Sequence, residues 1–340
     1  MPEKFQYADS RLVSRLVSDR VDPHKVLAGE IGPAYEDYRR QWEAARTWRE
    51  QPAFPLHVDY EMKFRCNLRC PMCLMSLPLE RRKDYGRPEL ELAPQTVADL
   101  IAHGAERGQK AMGFGGLWEP LLAPELPEIV AEGRRRGLVD VLFNTNGLLL
   151  TEKVGRALIE AGLTKLMISL DAATPETYAR VRVGSDFQTV TENIENFMAL
   201  RKKMGSVLPL VRLSFCRTAE NEAELVPFLQ RWYERVDFFS IQPYGRYDSA
   251  APPDFPRERP APPPPGRCAQ PHKRLQVRHN GEVTPCCDSS GLSLVLGDIY
   301  SQTLAEIWQG PKLAELRELL AKNDFSGPAA VCLACQSKYN

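Results

Sequence analysis

The sequence predicts an α/β fold built on a parallel sheet, as a barrel or a doubly wound sheet, with a small cysteine-rich domain behind it. Three observations predict this. Six strand-like segments alternate with amphipathic helical stretches between residues 55 and 245. Eight prolines within 251–265 then break the alternation. Five of the nine cysteines lie beyond the break.

The chain of 340 residues balances 44 basic against 44 acidic side chains, and 43% of it is hydrophobic. Such a composition buries a core and excludes a disordered tail, a collagen and a coiled coil. Zero net charge speaks against a dedicated nucleic-acid binder. No apolar run is long enough to cross a membrane, and the polar start, Met1 to Ser10, lacks a signal-like apolar stretch. The cytoplasm is the expected compartment. Nine cysteines there make a poor disulfide framework, and their clustering points to metal binding.

Residues 1–54 read as a helical extension. Tyr35, Tyr38, Trp42, Ala45 and Trp48 step by three or four, an amphipathic stripe that packs on the main domain, with a docking surface for a partner as the rival. Residues 55–250 form the main domain. Its strand candidates are Leu56–Met62, Ala111–Phe114, Val139–Asn144, Lys165–Leu170, Leu210–Cys216 and Phe238–Gln242, and helices such as Pro94–Ala105, Thr151–Ala161, Phe187–Lys203 and Glu222–Arg235 separate them. Ligands of such sheets sit at the C-terminal ends of the strands. Residues 251–267 read as a semi-rigid proline-rich linker. In the remainder, 268–340, Leu275–Arg278 and Glu282–Pro285 flank Asn280-Gly281 as a hairpin, and Leu304–Leu320 reads as one helix or two.

Cys66, Cys70 and Cys73 follow the first strand at spacing x3 then x2. Three thiolates on one loop select an Fe–S cluster, zinc or Cu(I). A cubane held by three cysteines leaves one iron open; a structural zinc site would recruit a distant cysteine. Spacing alone leaves both open.

Cys-x3-Cys-x2-Cys after the first strand resembles the signature of the radical S-adenosylmethionine (SAM) superfamily. The resemblance implies a partial (β/α)6 barrel, with Cys66, Cys70 and Cys73 holding a [4Fe–4S] cluster whose open iron takes the amino and carboxylate groups of SAM. Reduction, by a donor such as flavodoxin or ferredoxin, then cleaves SAM to methionine and a 5′-deoxyadenosyl radical. Met72 matches the position that packs near the adenine. Gly113-Phe114-Gly115-Gly116-Leu117-Trp118-Glu119-Pro120 resembles the family's Gly-Gly-Glu-Pro motif, which contacts the SAM amino group, with Leu117-Trp118 inserted before Glu119. Gly115 and Gly116 would let backbone approach a ligand closely. At the third and fourth strand ends, Asn146, Ser169 and Asp171 fall where the family contacts the ribose and carboxylate, with a helix-capping role as the rival for Asp171. On the fifth strand Leu213 and Phe215 should face the helices, which turns Arg212, Ser214 and Cys216 inward. Arg212 is a candidate for pairing with a carboxylate such as that of SAM. Gln242 and Tyr244 would lie near the adenine.

Cys268, the run Asn280-Gly281-Glu282-Val283-Thr284-Pro285-Cys286-Cys287, and Cys332-x2-Cys335 resemble the SPASM/twitch auxiliary-cluster domain found behind radical SAM barrels. A full SPASM domain holds two clusters and needs more cysteines than the five present, so the chain looks like the shortened one-cluster form. Cys268, Cys286, Cys332 and Cys335 would ligate a second [4Fe–4S] cluster fully, with Cys286 preferred over Cys287 by its spacing from Gly281. By themselves four thiolates also suit zinc.

Cys216 and Cys287 are left over, and they separate two mechanisms. A dehydrogenase removes a hydrogen atom from a carbinol carbon, and the ketyl radical loses a proton and passes an electron to the auxiliary cluster. The one-cluster layout resembles radical SAM dehydrogenases of aminocyclitols. An epimerase returns a hydrogen atom from a thiol, for which Cys216 is the candidate, unless it is only a small buried apolar residue. Peptide modification is a further class, disfavoured because the first 50 residues are too short and too helical for a leader-binding module. The expected substrate is therefore a polar small molecule such as an aminocyclitol or sugar alcohol, with no nucleic acid or membrane partner.

Overall fold

The computed structural model describes residues 15–17, 21–83, 86–87, 89–243, 268–286 and 293–333. The strands are β1 Arg15–Val17, β2 His57–Tyr60, β3 Ala111–Phe114, β4 Asp140–Thr145, β5 Lys165–Ser169, β6 Leu210–Arg217, β7 Phe238–Pro243, β8 Arg274–Val277, β9 Glu282–Thr284 and β10 Gly297–Asp298. The helices are α1 Pro23–Ile31, α2 Pro33–Arg46, α3 Leu79–Arg82, α4 Pro94–Glu106, α5 Leu126–Arg135, α6 Glu152–Glu160, α7 Pro175–Val181, α8 Phe187–Lys203, α9 Leu225–Trp232, α10 Leu304–Gln309 and α11 Pro311–Ala321. All ten strands form one sheet in the order β1-β7-β6-β5-β4-β3-β2-β8-β9-β10.

Neighbouring strands from β2 to β7 pair in parallel, each joined to the next by helices. Period-two alternation gives the sheet an apolar face under the helices. Val58, Met112, Phe143, Ile168, Leu213 and Phe215 are fully buried on that face, and the Phe215 ring lies 4.9 Å from Phe228 of α9. Leu213 and Phe215 thus face the helices, as their alternation predicts. Side-chain caps fix where the helices begin: Thr151 for α6, Thr174 for α7 and Asp186 for α8 each accept a backbone N–H of the first turn.

The N-terminal extension closes the lower end of this sheet. Leu27, Tyr35, Tyr38 and Ala45 of α1 and α2 cluster with Leu56, Ala111, Val139, Leu210 and Phe238, which stand at or just before strand starts. The stripe read from the sequence is therefore a packing surface. One expectation fails here: the extension is not wholly helical, because β1 pairs antiparallel with β7. An exposed sheet edge is a liability, and β1 covers it.

At the other edge the C-terminal hairpin joins the same sheet. β8 runs parallel to β2, with Asp59 opposite Gln276, and β9 folds back on β8. Gly281 makes the turn with φ +89°. The stretch Leu304–Leu320 forms two helices, because Gly310 is extended (ψ 159°) and Pro311 starts the second. Trp308 of α10 is buried and donates to the Pro52 carbonyl at 2.9 Å, tying this domain to the approach of β2. The linker 251–267 lies outside the described residues.

Candidate functional site

The loop after β2 carries Cys66, Cys70 and Cys73, and it is pinned from several sides. Lys63 and Arg65 both pair with Glu91, at 2.9 and 2.7 Å. The Arg69 N–H donates to the Val183 carbonyl (2.8 Å), and Asn146 Nδ2 donates to Asn67 Oδ1 (2.8 Å). Two sulfurs accept backbone N–H groups: Cys66 from Leu68 at 3.4 Å and Cys73 from Met75 at 3.5 Å. Arg182 Nη1 stands 3.7 Å from the buried Cys70 sulfur. Burial pushes the Cys66 thiol up and the Cys73 thiol up to about 11, so a bound soft cation is what would hold them as thiolates.

This donor set fits a [4Fe–4S] cluster. Three thiols of one loop, with N–H donors and a guanidinium to balance their charge, match the ligand chemistry. No three His, Cys, Asp or Glu side chains among the described residues converge on a single metal ion. A cubane does not ask for that, because each cysteine grips a different iron.

Around the loop stand the other residues singled out in the sequence. Met72 is buried in the core cluster. Glu119 is buried, and its carboxylate accepts from Thr145 Oγ1 (2.6 Å), the Asn146 N–H (2.8 Å) and the Leu121 N–H (3.1 Å). Burial raises its pKa against those three donors. Glu119 and Asn146 therefore clamp the end of β4 to the loop after β3. Ser169 ends β5, half-buried. Asp171 is fully buried with φ +60°; one carboxylate oxygen takes Arg182 and the other takes the Cys216 N–H at 2.7 Å. Its side chain thus joins β5, β6 and the cysteine loop and caps no helix. Gln242 is exposed at the end of β7, 3.3 Å from Ser240 Oγ. Tyr244, Cys287 and Cys335 lie outside the described residues.

The glycines of Gly113-Phe114-Gly115-Gly116 have a reason the sequence did not disclose. A Cβ on Gly116, whose φ is +113°, would stand 2.1 Å from Glu61 Oε2 and 2.9 Å from Gln276 Nε2. A Cβ on Gly113 would stand 2.2 Å from Asp59 Oδ1. The close approach is to the buried carboxylates of Asp59 on β2 and of Glu61 just beyond it. The inserted pair also has work: the Leu117 N–H donates to Glu61 Oε2 at 2.6 Å, and Trp118 Nε1 donates to the Gly115 carbonyl at 3.0 Å.

Sequence reasoning missed the seam where β2 meets β8. Asp59 pairs with Arg274, Glu61 with His279 at 2.6 Å, and Arg278 Nε stands 3.9 Å from Glu61. Burial, and then Arg274, lowers the His57 pKa, so this ring is neutral beside Asp59. The signal was present as polar residues at period two, His57-Asp59-Glu61 and Arg274-Gln276-Arg278. Arg182 was also missed. Burial pulls its pKa down, but Asp171 and Cys70 outweigh that and keep it charged. No spacing rule marks it.

Arg212 projects from the face of β6 opposite the helices, and its Nη2 donates to Asn144 Oδ1 at 3.1 Å. Cys216, half-buried, ends the same face. Burial pushes its thiol up to about 12. In the C-terminal domain Cys268, Cys286 and Cys332 are each half-buried, at the approach to β8, after β9 and in the turn 327–333. Among the described residues no helix is long and apolar enough to cross a membrane.

Comparison with known proteins agrees with this geometry. Residues 60–212 match the model of the radical SAM superfamily, and residues 268–336 match SPASM, an iron–sulfur cluster-binding domain. Together these domains imply a [4Fe–4S] cluster with SAM and an auxiliary cluster. A GTP 3′,8-cyclase of Limosilactobacillus fermentum is 34% identical over 56% of this chain and 55% of its own length. A tungsten-containing aldehyde ferredoxin oxidoreductase cofactor-modifying protein of Pyrococcus furiosus is 30% identical over 52% of this chain and 47% of its own. The chain spans about half the length of the curated relatives it matches. The fold is shared with SuiB of Streptococcus suis solved with S-adenosylmethionine, at TM-score 0.64 and 12% identity, over 84% of this chain and 73% of that one.

Proposed function

The chain belongs to the radical SAM superfamily and carries a SPASM-type iron–sulfur domain, and from that premise we propose that it oxidises a polar small molecule such as an aminocyclitol or sugar alcohol. The observation that supports this reading is the polar face of the sheet opposite the helices. Arg212, Ser214, Ser240 and Gln276 stand there, a lining suited to hydroxyl-rich ligands.

Cys66, Cys70 and Cys73 would hold the first cluster, leaving an iron for SAM. Cys268, Cys286, Cys332 and Cys335 would hold the second. When bound, these groups supply the electron that cleaves SAM to a 5′-deoxyadenosyl radical and the acceptor for the electron the substrate gives up. The chain's own residues set the conditions. Arg182 and the Leu68 and Met75 N–H groups offset negative charge on the thiolates. Asp171 orients Arg182. Met72, Ser169, Asn146, Gln242 and Tyr244 remain candidates for SAM contacts, with the backbone at Gly115 and Gly116 and the carboxylate of Glu119. The two N-terminal helices close the lower end of the sheet, opposite the cysteine loop. A donor such as flavodoxin or ferredoxin would supply electrons.

Cys216 supports a second reading, radical epimerisation. A thiol gives up a hydrogen atom only while protonated, and burial keeps this one protonated at neutral pH.

The deciding experiment measures 5′-deoxyadenosine formed by the anaerobically reconstituted, reduced enzyme. Host extract is supplied as separate small-molecule and peptide fractions. Stimulation by small molecules is expected; stimulation by peptides alone would make the enzyme a peptide maturase. Cys216→Ala should block epimer formation while SAM is still consumed, and an undiminished yield of epimer rejects the donor role.

A further inference from the structure

The wholly or partly buried arginines of the sheet and its loops differ in one respect. Arg182 meets Asp171, Arg274 meets Asp59 and Arg278 meets Glu282. Arg212 meets no carboxylate among the described residues. Its only hydrogen bond there is to the neutral Asn144, and its buried Nε has no partner. Arg212 is half-buried with its Nε fully so, and a charge partly withdrawn from water without a counterion is costly. Burial lowers its pKa to about 10, which still leaves it charged at neutral pH.

Its direct neighbours across the sheet, Met167 and Phe238, bring no charge, and two hydroxyls stand further along the same face. Ser214, two residues on and on the same face, has a buried hydroxyl without a hydrogen-bond partner, and Ser240 lies directly opposite Ser214 on β7. A guanidinium beside two hydroxyls is a cradle for an oxyanion. Arg212 also stands apart from the cysteine loop. Cys216, whose N–H meets Asp171 and through it Arg182 and Cys70, is four residues further along β6, about 13 Å of strand. The cation at the cysteine loop is Arg182; Arg212 lies deeper.

We propose that Arg212, with Ser214 and Ser240, binds an acidic group of the substrate, a carboxylate or phosphate, so that the polar small molecule oxidised here is an anion. This rests on the radical SAM reading of the preceding subsection and narrows its substrate class.

The test uses the reconstituted, SAM-loaded enzyme. Extract small molecules are split on an anion exchanger, and each fraction is assayed for stimulation of 5′-deoxyadenosine formation. The retained fraction should stimulate; stimulation confined to the flow-through overturns the proposal. Phosphatase treatment of the active fraction tells phosphate from carboxylate. Arg212→Gln should raise the half-saturating amount of that fraction by about 30-fold or more, and Arg212→Lys by less. Equilibrium dialysis with SAM guards the interpretation: if Arg212→Gln weakens SAM binding by the same factor, the arginine reads SAM and the proposal fails. A second measurement needs no turnover. Phenylglyoxal labelling of Arg212, mapped by mass spectrometry, should slow in inorganic phosphate relative to chloride at equal ionic strength, and equal labelling overturns the proposal. Absence of 5′-deoxyadenosine under every condition would count against the radical reading instead, and the labelling result would still decide the anion site.

Discussion

Asp171 holds three parts of the site together with one side chain. Its carboxylate takes Arg182 and the Cys216 N–H, and its carbonyl takes Asn221 Nδ2 at 2.8 Å. Asp171→Asn keeps the shape and removes the charge, leaving Arg182 buried without its counterion. A loss of about 3–5 kcal/mol in stability is expected from breaking such a pair, read by denaturant unfolding, together with lower iron content after reconstitution. Normal stability and normal iron would show the pair to be dispensable. The Cys216 thiol gives a pH prediction with a definite sign. Its folded pKa is raised to about 12, so the protonated form persists through the neutral and mildly alkaline range. Alkylation of Cys216 by iodoacetamide should therefore stay slow and rise about tenfold per pH unit from about pH 7 to 10 without levelling off, because only the thiolate reacts. A rate that reaches a plateau by about pH 9 to 10, as that of an ordinary thiol does, would contradict the assignment.

At the scale of elements, the sheet edges and its lower end decide what the site looks like. The seam between β2 and β8 brings Glu61, Gln276 and the loop of Gly116 into contact. Gly116→Ala puts a methyl 2.1 Å from the Glu61 carboxylate in a backbone conformation that L residues avoid. It should destabilise the chain and loosen the loop that carries Glu119; an unchanged melting temperature would show that the seam yields at little cost. Under the sheet, Tyr38 of α2 is only 1% exposed and its ring lies 5.8 Å from Trp42. Tyr38→Ala should cost about 3–5 kcal/mol, the usual penalty for emptying an aromatic site. A loss below about 1 kcal/mol would mean that the extension merely rests on the sheet. The stripe of α2 was legible in the sequence, whereas its partners were not, since Ala111, Leu210 and Phe238 come from far along the chain.

For the whole molecule, two cluster domains share one sheet, and the prediction is about how they separate. Replacing Cys66, Cys70 and Cys73 together by Ala should remove about half of the bound iron and abolish 5′-deoxyadenosine, while the auxiliary cluster stays. Elemental analysis and product assay check this; product that survives sinks the ligand assignment. The C-terminal domain is expected to keep its iron because its cysteines are distant in sequence, with Cys268 before β8, Cys286 after β9 and Cys332 in the turn 327–333.

The sequence by itself determined the order of strands and helices from β2 to β7, the face that Leu213 and Phe215 turn to the helices, and the cysteine pattern that marks the family. These are local matters: alternation along a strand, spacing on one loop and turn chemistry between neighbours. Only the tertiary structure decided that the C-terminal hairpin extends the sheet beside β2, that Arg182 rather than Arg212 stands against the cysteine loop, and that the glycines after β3 make room for Asp59 and Glu61. Each of these is a meeting of residues far apart in the chain, set by parallel pairing and by buried charges finding their partners. Spacing along a sequence carries no record of which distant carboxylate a buried arginine will meet.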